Sequence, residues 1–443
     1  MNIYSRLYII CITALLLPLV STTATAQFRI GGQLVQRGEY RHGYGKLIED
    51  SLSPSTFISQ RLRLQGSYKL DHLNFYMSIQ DIRTWGNTPQ IKLSDGFLSV
   101  HEAWGEIKVD SSWSFKLGRQ ELNYDNARFL GNLDWALQGR AHDFALIKYE
   151  RNSSALHFGA GYNQDGEALS GNTYLMANQY KNAIFARYEK KLSKMEISVL
   201  FWNNGLQYVA YDSTGSKITK KEVRYTQTYG IPTLKYKLSN TTFSSFAYYQ
   251  TGKDIADNDV SAYDANFQIS HLFKLNEIHK QSLRLTAGIE IISGTDNNDT
   301  TKEKSSFSPM YGTNHAHNGY MDYFFVGGRH EKSVGLNDIY FRLRFDINAN
   351  FFTSVDVHSF AANAAIYKSS KKLSGNLGNE IDFSFGFIIN SAVSVQGGYS
   401  HYLSTETIEF LHKTINADKL QNWAYLMLII RPDSDKKYIG LLQ

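Results

Sequence analysis

Over most of its length the sequence alternates apolar and polar residues with a period of two, the pattern of strands with one oily and one wet face. The clearest run is Asp338 to Ile347, where Ile339, Phe341, Leu343, Phe345 and Ile347 oppose Tyr340, Arg342, Arg344 and Asp346. Residues 380 to 387 repeat it, with Ile381, Phe383, Phe385 and Phe387 against Glu380, Asp382, Ser384 and Gly386. So do residues 282 to 291, and near the start Leu62 and Leu64 oppose Arg61, Arg63 and Gln65. About eighteen such segments follow one another, beginning near residues 28, 57, 73, 97, 112, 142, 154, 180, 194, 224, 241, 259, 281, 336, 350, 378, 392 and 421.

The connections alternate as well. Short ones fall at 71–72, 110–112, 152–153, 192–194, 239–240, 348–350 and 390–391, and long ones at 43–56, 86–96, 123–141, 163–179, 206–223, 293–335, 362–377 and 404–420. Segregating tight turns from large loops is what a membrane barrel threaded from one side produces. The fold expected is therefore all-β: a transmembrane antiparallel β-barrel of about eighteen strands, with its apolar faces on lipid and its polar faces on the lumen. An even strand number puts both ends in the periplasm, and residues 27–443 read as one barrel domain without a linker.

Residues 1–26 read as a cleaved export signal, with Arg6, an apolar stretch from Leu7 to Val20 and Ala24-Thr25-Ala26 before Gln27. The only cysteine, Cys11, would leave with it, which excludes disulfides and thiol chemistry from the mature chain. Aromatic residues make up 14% of the 443 residues and prolines number 6, a mix that suits long strands. Beyond the N-terminus no stretch reaches ~18 apolar residues, so no spanning helix is expected. A net charge of +5 is too slight for a nucleic-acid protein.

Function then belongs to the lumen and the loops. Arginines recur on the polar faces: Arg37, Arg41, Arg61, Arg63, Arg187, Arg284, Arg342 and Arg344. A guanidinium grips carboxylates with two hydrogen bonds, so such a row suits an anionic solute. The other reading is internal neutralisation by Glu39, Asp264, Glu290, Asp356, Glu380 and Asp382. Three further groupings are weaker. His315 and His317 have the spacing of a metal pair but lack further ligands, so no metal site is assigned. Asp296 to Asp299 resembles half a calcium loop without its Gly and distal Glu. Ser400 and His401 sit on opposite faces of a strand and cannot act as a hydrolase pair.

The stretch Leu117-Gly118-Arg119-Gln120-Glu121-Leu122, continuing through Tyr124, Asp125, Arg128, Phe129, Gly131 and Asp134-Trp135 to Asp143-Phe144, resembles the alginate-export family of outer-membrane porins. So do Phe307 to Thr313, His315, Asn318-Gly319 and Asp322, and Arg61-Leu62-Arg63. The resemblance implies an eighteen-stranded barrel in the bacterial outer membrane with an arginine-lined pore for a polyuronate or other anionic glycan. It adds Arg119, Arg128 and Arg140 to the lumenal set. Arg119 shares parity with Trp113, Phe115 and Leu117, so either a bulge at Gly118 turns it inward or it is a rim residue.

The function expected is a non-enzymatic outer-membrane channel without a cofactor, passing anionic oligo- or polysaccharide. The partners expected are lipid, the glycan and periplasmic proteins. A general diffusion porin and a closed, surface-binding barrel are the alternatives. The gate is expected in loop 293–335 or loop 123–141.

Overall fold

A computed structural model describes residues 27–91, 96–327, 330, 332–432, 434 and 436–440; the expected export signal lies outside them. Eighteen strands form the wall. They are β1 (Gln27–His42), β2 (Ser55–Lys69), β3 (Leu73–Thr84), β4 (Leu98–Lys108), β5 (Trp113–Gln120) and β6 (His142–Arg151). Then come β7 (Ser154–Tyr162), β8 (Asn182–Lys191), β9 (Met195–Tyr211), β10 (Lys217–Leu238), β11 (Thr241–Lys253) and β12 (Asp259–Asn276). The last six are β13 (Gln281–Ile292), β14 (Leu336–Asp346), β15 (Phe351–Ala361), β16 (Asn376–Ile388), β17 (Val393–Ser404) and β18 (Gln421–Ile430). Each pairs antiparallel with its neighbour in sequence, and β18 closes on β1 from Leu34↔Ile430 to His42↔Asn422.

Closure leaves no unpaired edge, the condition for strands to cross lipid. Alternation sets the two faces. Ile339 is 61% exposed on the outside while Asp338 is 1% exposed, and Leu62 is 50% exposed beside a fully buried Arg61. Turn chemistry fits the short side: Asp110 Oδ1 accepts from Ser112 N and Trp113 N, and these backbone donors hold its carboxyl below the usual range.

Two expectations about connections are corrected. Residues 206–223 are not a loop: β9 and β10 stay paired out to Tyr211↔Lys217, and only Asp212 to Ser216 turns. Polar side chains there serve the strand pair, as where Gln207 Nε2 donates to Glu222 O at 2.9 Å. On the same side of the barrel, 254–258 is a tight turn in which Asp254 Oδ1 accepts from Ala256 N and Asn258 N. Long and short connections therefore do not alternate strictly.

The lumen is not an open bore. Loops 121–141 and 293–335 fold into it and cross one another. Leu130 bridges Tyr311, Gly131 N donates to Tyr311 O at 2.8 Å, and Thr313 N donates to Ala127 O at 2.8 Å. Two glycines permit this crossing. A Cβ on Gly131 would stand 2.3 Å from Thr313 Oγ1, and one on Gly312 would stand 2.1 Å from Arg128 O.

Around the crossing, inward wall positions carry rings in place of polar groups. Phe129 and Tyr311 pack against Trp202, Tyr248 and Tyr180, and Phe144 stacks on Trp202 at 5.7 Å. The expectation of a uniformly polar lumen is thus corrected at this level. The loops bring their own apolar surface, and burying it against aromatic wall residues releases water from both.

Candidate functional site

The two inward loops divide the lumen into two chambers. One, of about 500 Å³, lies toward the long-loop rim beside β1–β3 and is lined by Arg37, Glu39, Arg41, Tyr44, Trp135, His315 and Asp322, among others. The other, of about 980 Å³, opens toward the short-turn rim between β8 and β16. Its lining carries eight Lys or Arg side chains against five Asp or Glu, so the larger chamber is basic. No residue lines both.

Between His315 and Tyr320 the partition is two stacked rings thick. His315 lines the smaller chamber and Tyr320 the larger, and the two rings stack at 5.3 Å. Trp135 lies flat on the other face of His315 at 4.1 Å, and Arg37 covers Trp135 at 4.4 Å from its ring. His315 Nδ1 lies 2.7 Å from Asp322 Oδ1, which fixes the imidazole, and the Tyr44 hydroxyl donates to the same carboxylate. Arg37 Nη1 also donates to Trp135 O at 2.7 Å. The stack is thereby tied to the wall of β1.

The eleven arginines singled out from the sequence fall into four situations. Arg187, Arg284, Arg342 and Arg344 line the larger chamber, and Arg37 and Arg41 the smaller. Arg61 and Arg63 face inward but lie beneath loop 121–141. Arg61, fully buried, binds Asp134 Oδ1 at 2.8 Å and Leu137 O at 2.9 Å, and Arg63 binds Gln80 Oε1 at 2.7 Å. Arg128 and Arg140 belong to the partition itself. Arg128 Nε lies 2.8 Å from Asp264 Oδ2 and 3.1 Å from Glu290 Oε1, and its Nη2 donates to Asn318 Oδ1 at 3.0 Å. Arg140 Nη1 donates to Gly312 O at 2.9 Å.

Arg119 is on the outer face with Trp113, Phe115 and Leu117, 43% exposed and paired to Asp143 at 2.9 Å. Pairing of β5 with both neighbours runs through Gly118 in unbroken register, so no bulge turns Arg119 inward. Arg61, Arg63, Arg119, Arg128 and Arg140 therefore do not line a chamber. Their partners are loop carbonyls, the loop carboxylate of Asp134, the wall groups Gln80, Asp264 and Glu290, or a rim partner.

The larger chamber differs. Arg284 stands directly opposite Arg344 across the β13–β14 pair, and Arg342 is two residues along. Like charges so placed repel, an arrangement that favours an anion between them. Arg344 meets Asp346 at 3.0 Å and Arg342 meets Asp356 at 3.3 Å, whereas Arg284 has no ion-pair partner among the described residues. Arg187 is engaged by Asp125 at 2.7 Å. Four of the six acids proposed as neutralisers do pair with arginines of this set, Glu39 with Arg37 and Arg41 and Asp356 with Arg342 among them. Asp264 and Glu290 hold Arg128, and Glu380 accepts from Met321 N at 2.8 Å.

The remaining groupings do not form sites. His315 and His317 face different chambers. Asp296 and Asn297 accept from Ala365 N and Tyr367 N, pinning the neighbouring loop. Ser400 faces inward while its neighbour Tyr399 is exposed on the outside. A bulge opposite Ser78 and Ile79 turns both His101 and Glu102 inward near Glu121, with His101 Nε2 2.8 Å from Glu121 Oε1. These groups already satisfy one another and Asn132. Sequence reasoning passed over Asp134, although it lay within the quoted motif, and Arg431, which meets it at 2.9 Å.

No protein-family profile and no curated protein matches the sequence, so the alginate-export likeness stands as a resemblance only. Solved structures do match in fold. The outer-membrane protein OpdK of Pseudomonas aeruginosa superposes with a TM-score of 0.53 at 12% identity, covering 91% of this chain and 98% of that one. OpdO of the same organism gives 0.55 at 12%, covering 91% and 96%, and OpdQ gives 0.54 at 11%, covering 91% and 97%. OpdK has also been crystallised with vanillate. The chain thus shares the fold of these outer-membrane proteins, an eighteen-stranded closed barrel.

Proposed function

We propose that this barrel is an outer-membrane channel for anionic solutes, passive and without covalent chemistry. The observation that carries the reading is the Arg284–Arg344 pair with Arg342 in a basic chamber of about 980 Å³. Fixed cations on a lumen wall lower the electrostatic barrier for an anion, while weak contacts at several sites let it leave again. The apolar outer face supports residence in a lipid bilayer.

Within that reading a small carboxylate is favoured over a polymer. The partition between the chambers is side chains stacked in a layer, which rotamer changes open for a small solute. A glycan strand needs the two inward loops to move apart. The vanillate crystallised with OpdK is itself a carboxylate, which supports the smaller class by analogy of fold. Passage of an anionic oligosaccharide such as a polyuronate is the second reading. The run of lumenal arginines and lysines from Arg187 to Arg344 favours it.

Planar-bilayer recording under a salt gradient tests both. Anion selectivity that falls in Arg284→Ala plus Arg344→Ala supports the channel. Block by benzoate-sized acids without block by uronate oligomers favours the small solute. A barrel that gives no current, and no swelling of liposomes in small sugars, overturns the channel reading and leaves a closed, surface-binding barrel.

A further inference from the structure

Beyond β18 the described residues stay against the inside of the barrel. Arg431 N donates to Ala392 O at 2.7 Å, and residues 436–440 turn back along the inner wall of β16 and β17. Gln396, fully buried, pairs with the backbone of Ile439 in both directions: Nε2 donates to the Ile439 carbonyl at 2.7 Å, and Ile439 N donates to Oε1 at 2.8 Å. Ser394 Oγ donates to Lys437 O, and Tyr438 meets Phe352 edge-on with ring centres 5.1 Å apart. Gly386 makes room for that tyrosine, since a Cβ there would lie 2.6 Å from its ring. Gly440, the last described residue, packs on Trp135 so closely that a Cβ would come within 2.5 Å of the indole. Trp135 also lines the smaller chamber.

We propose that residues 436–440 are an intrachain stopper seated in this groove. Its withdrawal gives the smaller chamber a second way toward the periplasm, under Trp135 and separate from the His315–Tyr320 partition. The kinds of contact fit a part that releases. The described residues from 436 to 440 make no ion pair with the wall, and Lys437 Nζ donates only to carbonyl oxygens of Ser391 and Ser434. The one charged clamp, Arg431 with Asp134, lies at the root of the segment, so the tip moves while the root stays fixed. The groove recognises backbone amide through Gln396 and asks little of the side chains, as expected of a seat for an extended strand.

Orientation in the membrane rests on the channel reading, but the test does not need current. The only cysteine in the sequence is Cys11, in the expected export signal, so a thiol placed at Ala136, which lines the smaller chamber, reports alone. An impermeant thiol reagent is applied from the periplasmic side to Ala136→Cys barrels in three forms: full length, ending before Lys436, and full length with Gln396→Ala. Labelling is expected to accelerate about tenfold or more in the shortened chain and by a smaller factor with Gln396→Ala. Equal rates in folded barrels of all three forms overturn the stopper. Should the shortened chain fail to assemble, the Gln396→Ala barrel decides alone, and an unchanged rate overturns the proposal. Faster labelling without any current in bilayers overturns the channel reading and leaves the stopper standing.

Discussion

The two sides of the lumen use the same residue for opposite ends. Along β1 and β2, Arg37 and Arg61 point inward and find loop 121–141 waiting, with the Trp135 carbonyl for one and the Asp134 carboxylate for the other. Along β13 and β14, Arg284, Arg342 and Arg344 point inward in the same way onto a chamber, Arg342 and Arg344 beside Asp356 and Asp346 and Arg284 without an ion-pair partner among the described residues. Strand parity decides that an arginine faces the interior; what arrives from across the barrel decides whether it is mortar or a docking point. A buried guanidinium already holding a carboxylate has little left for a solute, whereas repelling neighbours in a chamber gain from one.

Substitutions sharpen this contrast. The largest effect is expected at Arg128, where Arg128→Met leaves Asp264 and Glu290 buried without their cation, a loss of about 3–5 kcal/mol. Heat-modified mobility on gels reads it as a lower unfolding temperature. Restoring neutrality with Asp264→Asn and Glu290→Gln is expected to recover much of the loss, and a triple variant no more stable than Arg128→Met breaks the mortar reading. Next is Gly131→Ala, whose methyl meets Thr313 at the loop crossing, at a cost of about 1–3 kcal/mol with a larger conductance as the partition loosens. If conductance is unchanged, the crossing does not hold the partition.

On the open side the sign reverses. Arg344→Ala is expected to leave stability level or raise it by about 0.2–1 kcal/mol, because it removes a repulsion directly across the strands, while anion selectivity drops. A loss of several kcal/mol there erases the distinction between the two sides. The smallest effect is expected at Arg119→Ala. Its pair with Asp143 is surface-exposed and worth less than about 1 kcal/mol, and conductance is expected to match wild type.

Legibility followed the range of the interactions. Alternation is local, and it located all eighteen strands and the lipid face, as at Ile339 against Asp338. The bridge from Leu130 and Gly131 to Tyr311 is not local, so the two quoted motifs were recognised but their meeting in mid-lumen was not. Arg128 illustrates the consequence: it was assigned to the pore wall, yet its partners come from β12, β13 and loop 293–335 and bury it entirely. Residues 206–223 failed for another reason. Asn204 and Gln207 are amides of the kind loops carry, but here Asn204 faces inward and accepts from the Tyr311 hydroxyl, and Gln207 donates to the backbone of β10. The returning segment beyond Ile430 had no periodic signal, since its contacts are mainly backbone to Gln396.

One carboxylate also carries information about construction. Asp134 is held by Arg61 from the second strand and by Arg431 from just past the last. The first partner exists as soon as the opening hairpin forms; the other is supplied only once the seam between first and last strands has been sewn. An unfinished barrel therefore keeps an acceptor half unfilled, and finishing the wall is what locks its furniture in place.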